Sequence, residues 1–350
     1  MEEKKYFNRI LELMPQPVFC VRQGHVLYPN HAARQLFIET GLPVEELLGS
    51  AMGDYAQFNG SVLYLQLLLP GMKVGACVTR MEDLDVFVAE QEHTELQAMS
   101  LAAMQFRQPI SDALSILSRA DLQIDASYRG QLNRRLFQMQ RLVFNMSDAA
   151  RYTNESSRYK SYVDIGEVVG ELLEKIGTLA ERSGINLIRS CPRERILTML
   201  NEERLERALY NMVSNAMKVT PRGGTIEVKL SCKAERLYLS VRDYGPGIPE
   251  EIHNTVFTRY LRRPDLDNGQ EGLGLGMQLI RATAIDHNGT VLIDHPADGG
   301  TRVTMSLAIQ KNPNSILRSN VLTFDYAGEQ DHGLLELSDI LPPELYTKEF

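Results

Sequence analysis

Apolar or small residues recur at alternating spacings of three and four along two stretches of residues 91–157. The first series is Leu96, Met99, Ala103, Phe106, Ile110, Ala113 and Leu117, and the second is Leu132, Leu136, Met139, Val143, Met146, Ala150 and Thr153. This heptad spacing predicts two α-helices with narrow apolar stripes, separated by the polar break Asp121–Gly130. We therefore predict an antiparallel helical hairpin. Its stripes become buried either in a dimeric four-helix bundle or against the domains of its own chain.

Short apolar runs separated by turn residues characterise residues 1–90. The runs are Pro17–Val21, His25–Tyr28, Val74–Thr79 and Leu84–Val88. Runs of this length that end at turn residues are typical of strands, so we predict a small α+β domain.

Residues 160–310 mix helical and strand patterns. We predict helices at Ile165–Ser183 and Glu202–Lys218, and strands at Asn186–Ser190, Thr225–Ser231, Arg236–Arg242, Gly289–Asp294 and Thr301–Ala308. The second and third strands form one hairpin, and the last two are joined by the turn Ala297–Gly300. Together these elements predict an α/β module, and the whole chain is a multidomain α+β protein.

Residues 311–350 form an acidic tail. They hold seven acidic residues against three basic ones, a net charge of −4 out of −8 for the 350-residue chain. The final stretch L-S-D-I-L-P-P-E-L-Y-T-K-E-F keeps apolar residues among the acids. Two interpretations remain open, a flexible tail and a docking segment.

The composition narrows the class of protein. A chain that is 43% apolar and 23% charged can build cores, and its negative charge argues against general binding to nucleic acid or anionic lipid. No stretch approaches the ~20 apolar residues of a membrane span, and no signal-peptide core follows the N-terminus. Four cysteines lie far apart without a C-x-x-C pair, which indicates free thiols. We expect a cytoplasmic protein without a membrane span.

The motif N-M-V-S-N-A-M-K lies at the end of the second predicted helix of the α/β module. Its polar residues Asn211, Asn215 and Lys218 are spaced by four and three, which places them on one helical face. Amide oxygen and ammonium groups suit a magnesium ion and the phosphates that it bridges. A solvated helix face is the simpler alternative for this motif alone.

Two further motifs follow. In D-Y-G-P-G-I-P, Asp243 ends a predicted strand, and Gly245 and Gly247 allow a close approach of the backbone to a ligand. A carboxylate only accepts hydrogen bonds, so it would select an exocyclic amine such as that of adenine. In V-F-T-R-Y, Phe257 is an apolar anchor and Arg259 a charge that can reach phosphate.

The last motif is G-L-G-L-G-M-Q-L-I, in which Gly272, Gly274 and Gly276 open a helix. Backbone N–H groups and the positive helix end then converge on an anion. It is not a Walker loop, because G-x-x-x-x-G-K-[ST] is absent, and its glycines are too close together for a dinucleotide-binding fingerprint.

In this order the four motifs resemble the N, G1, F and G2 boxes of the ATPase domain of sensor histidine kinases, a domain shared with gyrase, Hsp90 and MutL (the GHKL or HATPase family). The resemblance implies a Bergerat-type α/β sandwich over 160–310 that binds ATP and Mg²⁺. The preceding hairpin resembles the HisKA dimerisation and phosphotransfer domain, which favours the kinases over the other members. It therefore implies a homodimer that works with a response regulator in a two-component system.

The resemblance also implies residue roles. Asn215 would hold Mg²⁺ with support from Asn211, Lys218 and Arg259 would contact phosphate, and Asp243 would bind adenine. Gly245 and Gly247 would line the nucleotide pocket, and Gly272, Gly274 and Gly276 would form the hinge of a lid over the phosphates. Gly300-Thr301 matches the usual Gly-Ser/Thr entry of the final strand and adds Thr301 to the candidate nucleotide-binding residues. Val219 stands where the family often has an aromatic ring.

The first hairpin helix departs from the family. Kinases carry H-E-x-R-[TN]-P there, whereas this chain reads M-Q-F-R-Q-P, with Met104 in place of the histidine and Gln105 in place of the acid. A thioether has no nucleophilic nitrogen to accept phosphate, and glutamine is no base near neutral pH. The resemblance thus predicts a degenerate kinase (a pseudokinase) that does not autophosphorylate at the usual position. Gln108 stands where family members place a residue for dephosphorylating their partner.

Other histidines are poor substitutes. His93 lies about three helical turns before Met104, and the remaining six fall outside the hairpin, where we expect surface positions.

The N-terminal segments M-P-Q-P-V-F-C-V and V-L-Y-P-N-H-A-A-R-Q-L-F resemble a PAS sensor domain, with Asn30 opening a helix. The sequence therefore predicts four parts: a PAS-like domain at 1–90, a HisKA-like hairpin at 91–157, an ATPase domain at 160–310 and an acidic tail. The alternatives are a scaffold with a vestigial nucleotide pocket and a kinase or phosphatase that acts on a partner protein.

Overall fold

The computed structural model describes residues 10–60, 62–81, 84–90, 95–117, 124–154, 160–248, 275–311 and 331–347. All four cysteines are free thiols, as predicted. Among the helices of these ranges, none combines the length and the apolar character that crossing a bilayer requires.

The N-terminal unit is a five-stranded antiparallel sheet. Its strands are β1 (Val18–Arg22), β2 (His25–Pro29), β3 (Val62–Leu69), β4 (Met72–Met81) and β5 (Leu84–Ala89), in the spatial order β2-β1-β5-β4-β3. Three short helices connect β2 to β3: α1 (His31–Gln35), α2 (Val44–Leu48) and α3 (Met52–Gln57). Asn30 begins α1 as predicted, because its Oδ1 accepts the N–H of Ala33 at 2.9 Å. The predicted α+β content is confirmed.

Two long helices follow, α4 (Glu95–Leu117) and α5 (Ala126–Asn154), and they pack against each other. The helix α5 begins inside the predicted polar break, so the prediction of a non-helical Asp121–Gly130 is wrong at its second half. Ala103, Ile110 and Val143 of the predicted stripes are buried, whereas others are exposed. The heptad positions therefore divide between a face covered by this chain and a face that it leaves open.

The α/β unit matches the predicted elements within a few residues. Its helices are α6 (Ile165–Arg182), α7 (Glu202–Val219) and α8 (Gly276–Asp286), and a small sheet pairs β6 (Ser161–Asp164) with β8 (Leu197–Leu200). The main strands are β7 (Asn186–Ser190), β9 (Thr225–Lys233), β10 (Arg236–Arg242), β11 (Val291–Asp294) and β12 (Arg302–Ala308). The apolar faces of the three helices and of this sheet form one core, which fixes α7 relative to the end of β10.

One sheet of ten strands runs through both units, in the order β2-β1-β5-β4-β3-β11-β12-β10-β9-β7. The junction is the antiparallel pair β3–β11, in which Leu63 lies opposite Leu292. Edge strands present unpaired backbone groups, and each of these two covers the edge of the other. The N-terminal unit is therefore joined to the α/β unit by backbone hydrogen bonds as well as by side chains.

The C-terminal segment 331–347 is folded, so the docking interpretation holds for it and the flexible one is wrong there. It consists of α9 (His332–Glu336), a turn and the 3₁₀ helix Pro343–Tyr346. Asp331 caps α9 by accepting the N–H of Leu334 at 3.0 Å. The segment packs on α5, α6 and α7.

Candidate functional site

The helix α7 carries the first predicted motif. Asn201 caps its first turn by accepting the N–H of Arg204 at 2.8 Å, and Thr220-Pro221 end it. Asn211 is buried, Lys218 is partly exposed and Asn215 is exposed. The motif therefore lies along the border of the helix between the core and the solvent.

His287 fixes the start of this helix. Its Nδ1 donates to the carbonyl of Thr283 at 2.8 Å, and its Nε2 accepts the N–H of Asn201 at 3.2 Å, so α8 is tied to the first turn of α7. The predicted surface position is wrong for His287, because both ring nitrogens are used inside the protein and the side chain is buried. Burial, with a smaller effect of nearby Lys160, lowers the pKa of His287 to about 4.

Asp243 follows β10 directly and is held by backbone groups on two sides. Its Oδ1 accepts the N–H of Gly245 at 2.8 Å and the N–H of Thr301 at 3.2 Å, while its own N–H donates to the carbonyl of Thr301 at 3.0 Å. Among the described residues, Oδ2 accepts no hydrogen bond. The carboxylate is thus fixed in orientation and retains one oxygen for a donor from a ligand.

A glycine is required where β12 approaches this loop. Gly300 has φ +81° and lies so close to the carbonyl of Asp243 that a Cβ atom would overlap it. The sequence singled out Gly300-Thr301 only as the entry of the last strand. The structure adds that this pair holds Asp243 in place.

The glycine loop after Asp243 contacts the end of α7. A Cβ atom at Gly245 would lie 3.0 Å from Val219 Cγ2, directly after Lys218, and Gly247 adopts φ +78° beside His295 and Gly300. At the other end of the motif, a Cβ atom at Gly276 would lie 2.7 Å from Asn211 Oδ1. These contacts bring four parts of the fold together: the end of β10, the start of β12, the border of α7 and the start of α8.

Three predicted site residues, Arg259, Gly272 and Gly274, lie outside the described residues, as do Phe257 and His93. The degenerate phosphoacceptor segment lies on α4, and neither α4 nor α5 contains a histidine. Gln105 and Gln108 are exposed, and Gln108 Nε2 donates to Asp112 Oδ1 at 2.8 Å.

The sequence did not reveal two charged residues that contact the motif on α7. Arg141 of α5 donates to Ser214 Oγ at 3.1 Å and to Asn211 Oδ1 at 3.4 Å. Asp339 of the C-terminal segment lies 3.0 Å from Lys218 Nζ and 2.6 Å from Arg141 Nη1. Neither residue belongs to a local pattern, so only the tertiary structure could identify it.

Comparison with known proteins gives a consistent result. Residues 200–311 match the family of histidine kinase-, DNA gyrase B- and HSP90-like ATPases. The adaptive-response sensory kinase SasA of Gloeothece citriformis is 27% identical over 235 residues, which are 63% of this chain and 60% of SasA. The hybrid signal transduction histidine kinase D of Dictyostelium discoideum is 28% identical over 218 residues, 59% of this chain and 13% of that kinase. The chain thus spans about 60% of the length of its SasA relative.

Among solved structures, full-length ShkA in complex with AMPPNP superimposes with a TM-score of 0.51 at 22% identity, over 62% of this chain and 47% of ShkA. At that identity the likeness concerns the fold. Taken with the kinase relatives, the match over residues 200–311 leads to one conclusion: this part of the chain is an ATPase domain of the family shared by histidine kinases, DNA gyrase B and HSP90, and the chain is similar to sensor histidine kinases.

Proposed function

We propose that the chain is a cytoplasmic, dimeric signalling protein of the two-component type that binds ATP and Mg²⁺ and does not autophosphorylate at the usual position. The main support for this proposal is the geometry of Asp243. Its Oδ1 accepts hydrogen bonds from the N–H groups of Gly245 and Thr301, which leaves Oδ2 to accept a hydrogen bond from a ligand. A preorganised carboxylate beside a glycine loop is suited to a purine with an exocyclic amine.

The residues present fit a magnesium nucleotide. The amide of Asn215 is exposed and supplies a hard oxygen of the kind that Mg²⁺ prefers, and Lys218 supplies a cation for phosphate. Gly245 and Gly276 let the backbone approach Val219 and Asn211 closely, because a Cβ atom at either position would meet those side chains. When bound, ATP would supply a transferable phosphoryl group or a ligand-dependent conformational state. The chain itself would orient the base at Asp243 and neutralise phosphate charge at Lys218.

The absence of a histidine from α4 and α5 supports the loss of autophosphorylation. In this proposal the output is a nucleotide-dependent conformation of the helix pair. A phosphatase acting on a response regulator is the second candidate, favoured by the exposed amide of Gln108 on α4. A scaffold with a vestigial pocket is less favoured, because the polar residues of the nucleotide motifs are retained.

Dimerisation is supported by an open apolar face on the helix pair, hereafter the open face, formed by Phe106, Ile116, Tyr128, Leu132 and Met139. Each of these side chains is at least 46% exposed. Leu132 and Met139 are seven residues apart and lie on the same side of α5. A second copy of the pair would cover this face in a four-helix bundle of HisKA type.

The N-terminal unit would supply the input. Its five-stranded antiparallel sheet, with short helices between β2 and β3, supports the PAS-like proposal. The β3–β11 pairing gives this unit a direct path to the α/β unit, besides the path along α4.

The decisive experiment measures binding and labelling together. Calorimetry of the full chain with ATP and Mg²⁺ should give binding, with weaker binding of GTP, because guanine presents an oxygen to Asp243 where adenine presents an amine. Asp243→Asn should weaken ATP binding at least tenfold, since its amide N–H₂ group would face the amine. The exposed acid Asp298 on the neighbouring turn provides the matched control Asp298→Asn, which should bind normally.

Incubation with γ-labelled ATP tests the second half of the proposal. We expect no acid-labile label on the protein. Label of that kind would contradict the loss of autophosphorylation, and wild-type protein without ATP binding would leave only the scaffold. Dephosphorylation of a phosphorylated response regulator that is lost in Gln108→Ala would favour the phosphatase.

A further inference from the structure

The C-terminal segment 331–347, hereafter the clamp, is held through its backbone by side chains of α5. Asn133 Nδ2 donates to the carbonyl of Tyr346 at 2.9 Å, and Gln138 Nε2 donates to that of Ser338 at 3.1 Å. Arg134 donates to the carbonyls of Ser338 at 3.0 Å and Asp339 at 2.9 Å. These contacts fix the register of the clamp on α5 whatever side chains it carries.

The clamp also belongs to the hydrophobic core of the α/β unit. Leu335, Leu337, Leu341 and Tyr346 are fully buried, and the ring of Tyr346 meets Phe137 edge-on with centroids 5.3 Å apart. Gly130 of α5 allows this approach, because a Cβ atom there would lie 2.5 Å from the carbonyl oxygen of Pro343. The helix α5 therefore carries a surface that is shaped for the clamp.

A buried charge network connects the clamp to α5 and α7. Glu336 has no exposed surface and contacts Arg207 Nε at 2.9 Å and Arg141 Nε at 3.4 Å. Arg207 also pairs with Asp148 and donates to Asn145 Oδ1 at 2.7 Å. Asp148 of α5 and Glu336 of the clamp thus both contact the fully buried guanidinium of Arg207, which lies on α7.

Asp339 places the clamp on the nucleotide motif itself. Its Oδ2 lies 3.0 Å from Lys218 Nζ, and its side chain is only 8% exposed. A carboxylate at that distance from the ammonium is positioned as a phosphate oxygen would be, and its own negative charge opposes a nearby phosphate. Arg141, the second partner of Asp339, contacts Asn211 from the same side.

We propose that the clamp is an autoinhibitory segment whose Asp339 competes with nucleotide phosphate for Lys218. This inference rests on the proposed nucleotide site. Docking of the clamp and binding of ATP are then antagonistic, and because such coupling is reciprocal, ATP loosens the clamp by the factor by which the clamp weakens ATP. Release of the clamp exposes the side of α5 that holds it. Binding of nucleotide therefore changes the exposed surface of the helix pair α4–α5.

Two matched pairs of full-length variants test the competition. Asp339→Asn removes the charge and keeps the backbone contacts of the clamp, while Glu344→Gln makes the same charge change at an exposed clamp position. Gly130→Ala presses on the clamp from α5, while Gly170→Ala makes the same change in α6, where nothing lies within 4 Å of the new methyl group. Asp339→Asn and Gly130→Ala should each lower the Kd for ATP by about tenfold in calorimetry, within the usual range of coupling between sites, and both controls should match wild type.

The reciprocal readout needs no variant. A glutamate-specific protease should cut after Glu336, which is buried in the docked clamp, faster when ATP and Mg²⁺ are present. Equal ATP affinity in all five proteins, or tighter binding in wild type than in Asp339→Asn, would overturn the autoinhibition while leaving the nucleotide site intact. Absence of ATP binding in every protein would instead refute the proposed function.

Discussion

Asp54 in α3 of the N-terminal unit and Arg236 in β10 of the α/β unit form a largely buried ion pair, with 2.6 Å between Oδ2 and Nη2. The same carboxylate accepts from Thr290 Oγ1 at 2.8 Å, from Ser306 Oγ at 2.7 Å and from Tyr238 Oη at 3.2 Å. One acid of the N-terminal unit is therefore satisfied entirely by polar groups of the other unit.

This network predicts the effect of neutralising Asp54. Asp54→Asn should lower the free energy of unfolding by about 3 kcal/mol, because it leaves the mostly buried guanidinium of Arg236 without its anion. Urea denaturation followed by circular dichroism measures the change. The exposed pair of Lys311 and Glu235 provides the comparison, and Glu235→Gln should leave the urea midpoint unchanged. Equal midpoints for Asp54→Asn and wild type would show that the two units are not coupled through this pair.

Two adjacent glycines at the turn before β12 allow the cost of backbone strain to be measured apart from the cost of steric overlap. Gly299 and Gly300 have φ +94° and +81°, but only a methyl group at Gly300 would meet another atom, the carbonyl of Asp243. Gly300→Ala should cost about 3 kcal/mol of stability or more, whereas Gly299→Ala should cost about 1 kcal/mol.

The same two glycine variants also test the proposed nucleotide site. Because the loop of Asp243 has to move in Gly300→Ala, this variant should also lose ATP affinity in calorimetry, and Gly299→Ala should retain it. Similar losses in both variants would contradict a specific role of Gly300 in holding Asp243.

If the open face of the helix pair is the dimer interface, charged residues placed in it should prevent dimerisation. Leu132→Glu combined with Met139→Glu places two charges in the proposed bundle, so the protein should run as a monomer in size-exclusion chromatography with light scattering. Lys175→Glu in the exposed part of α6 adds negative charge outside the helix pair and should remain dimeric. A wild-type chain that is monomeric at tens of micromolar would refute the bundle.

Sequence patterns recovered the elements but not the contacts between them. The strands Asn186–Ser190 and Arg236–Arg242 have the predicted bounds. In the second of them apolar and polar residues alternate, which is a local property of the sequence. In the structure, Gly245 lies close to both Asp243 and Val219.

Contacts over long sequence separations left no local signal. Arg141 reaches Asn211 across 70 positions, and the pairing of β3 with β11 depends on which edges the two sheets leave open. His287 was misplaced for a related reason, since a single polar residue at a helix end does not indicate whether another element covers it. The clamp was ambiguous because its apolar residues are mixed with acids, and the pattern does not show that Arg207, Arg141 and Lys218 neutralise Glu336 and Asp339 in the folded chain.

His287 predicts an acid-sensitive step in stability. Its folded-state pKa, about 4, lies below the ordinary value of 6.5, so the folded protein keeps the imidazole neutral while the unfolded chain takes up a proton below pH 6.5. The stabilisation from the neutral ring is therefore complete above pH 6.5 and is lost as the pH falls toward 4, up to about 3 kcal/mol.

Urea midpoints measured between pH 4 and pH 8 test this, with His287→Gln as the variant that cannot titrate. Wild type should lose stability steeply below pH 6.5, and His287→Gln should be less stable at pH 8 but show a flatter profile. The exposed His25 gives the control His25→Gln, which should follow wild type at every pH. If His287→Gln kept the full acid slope, a group other than His287 would be responsible for the acid-sensitive step.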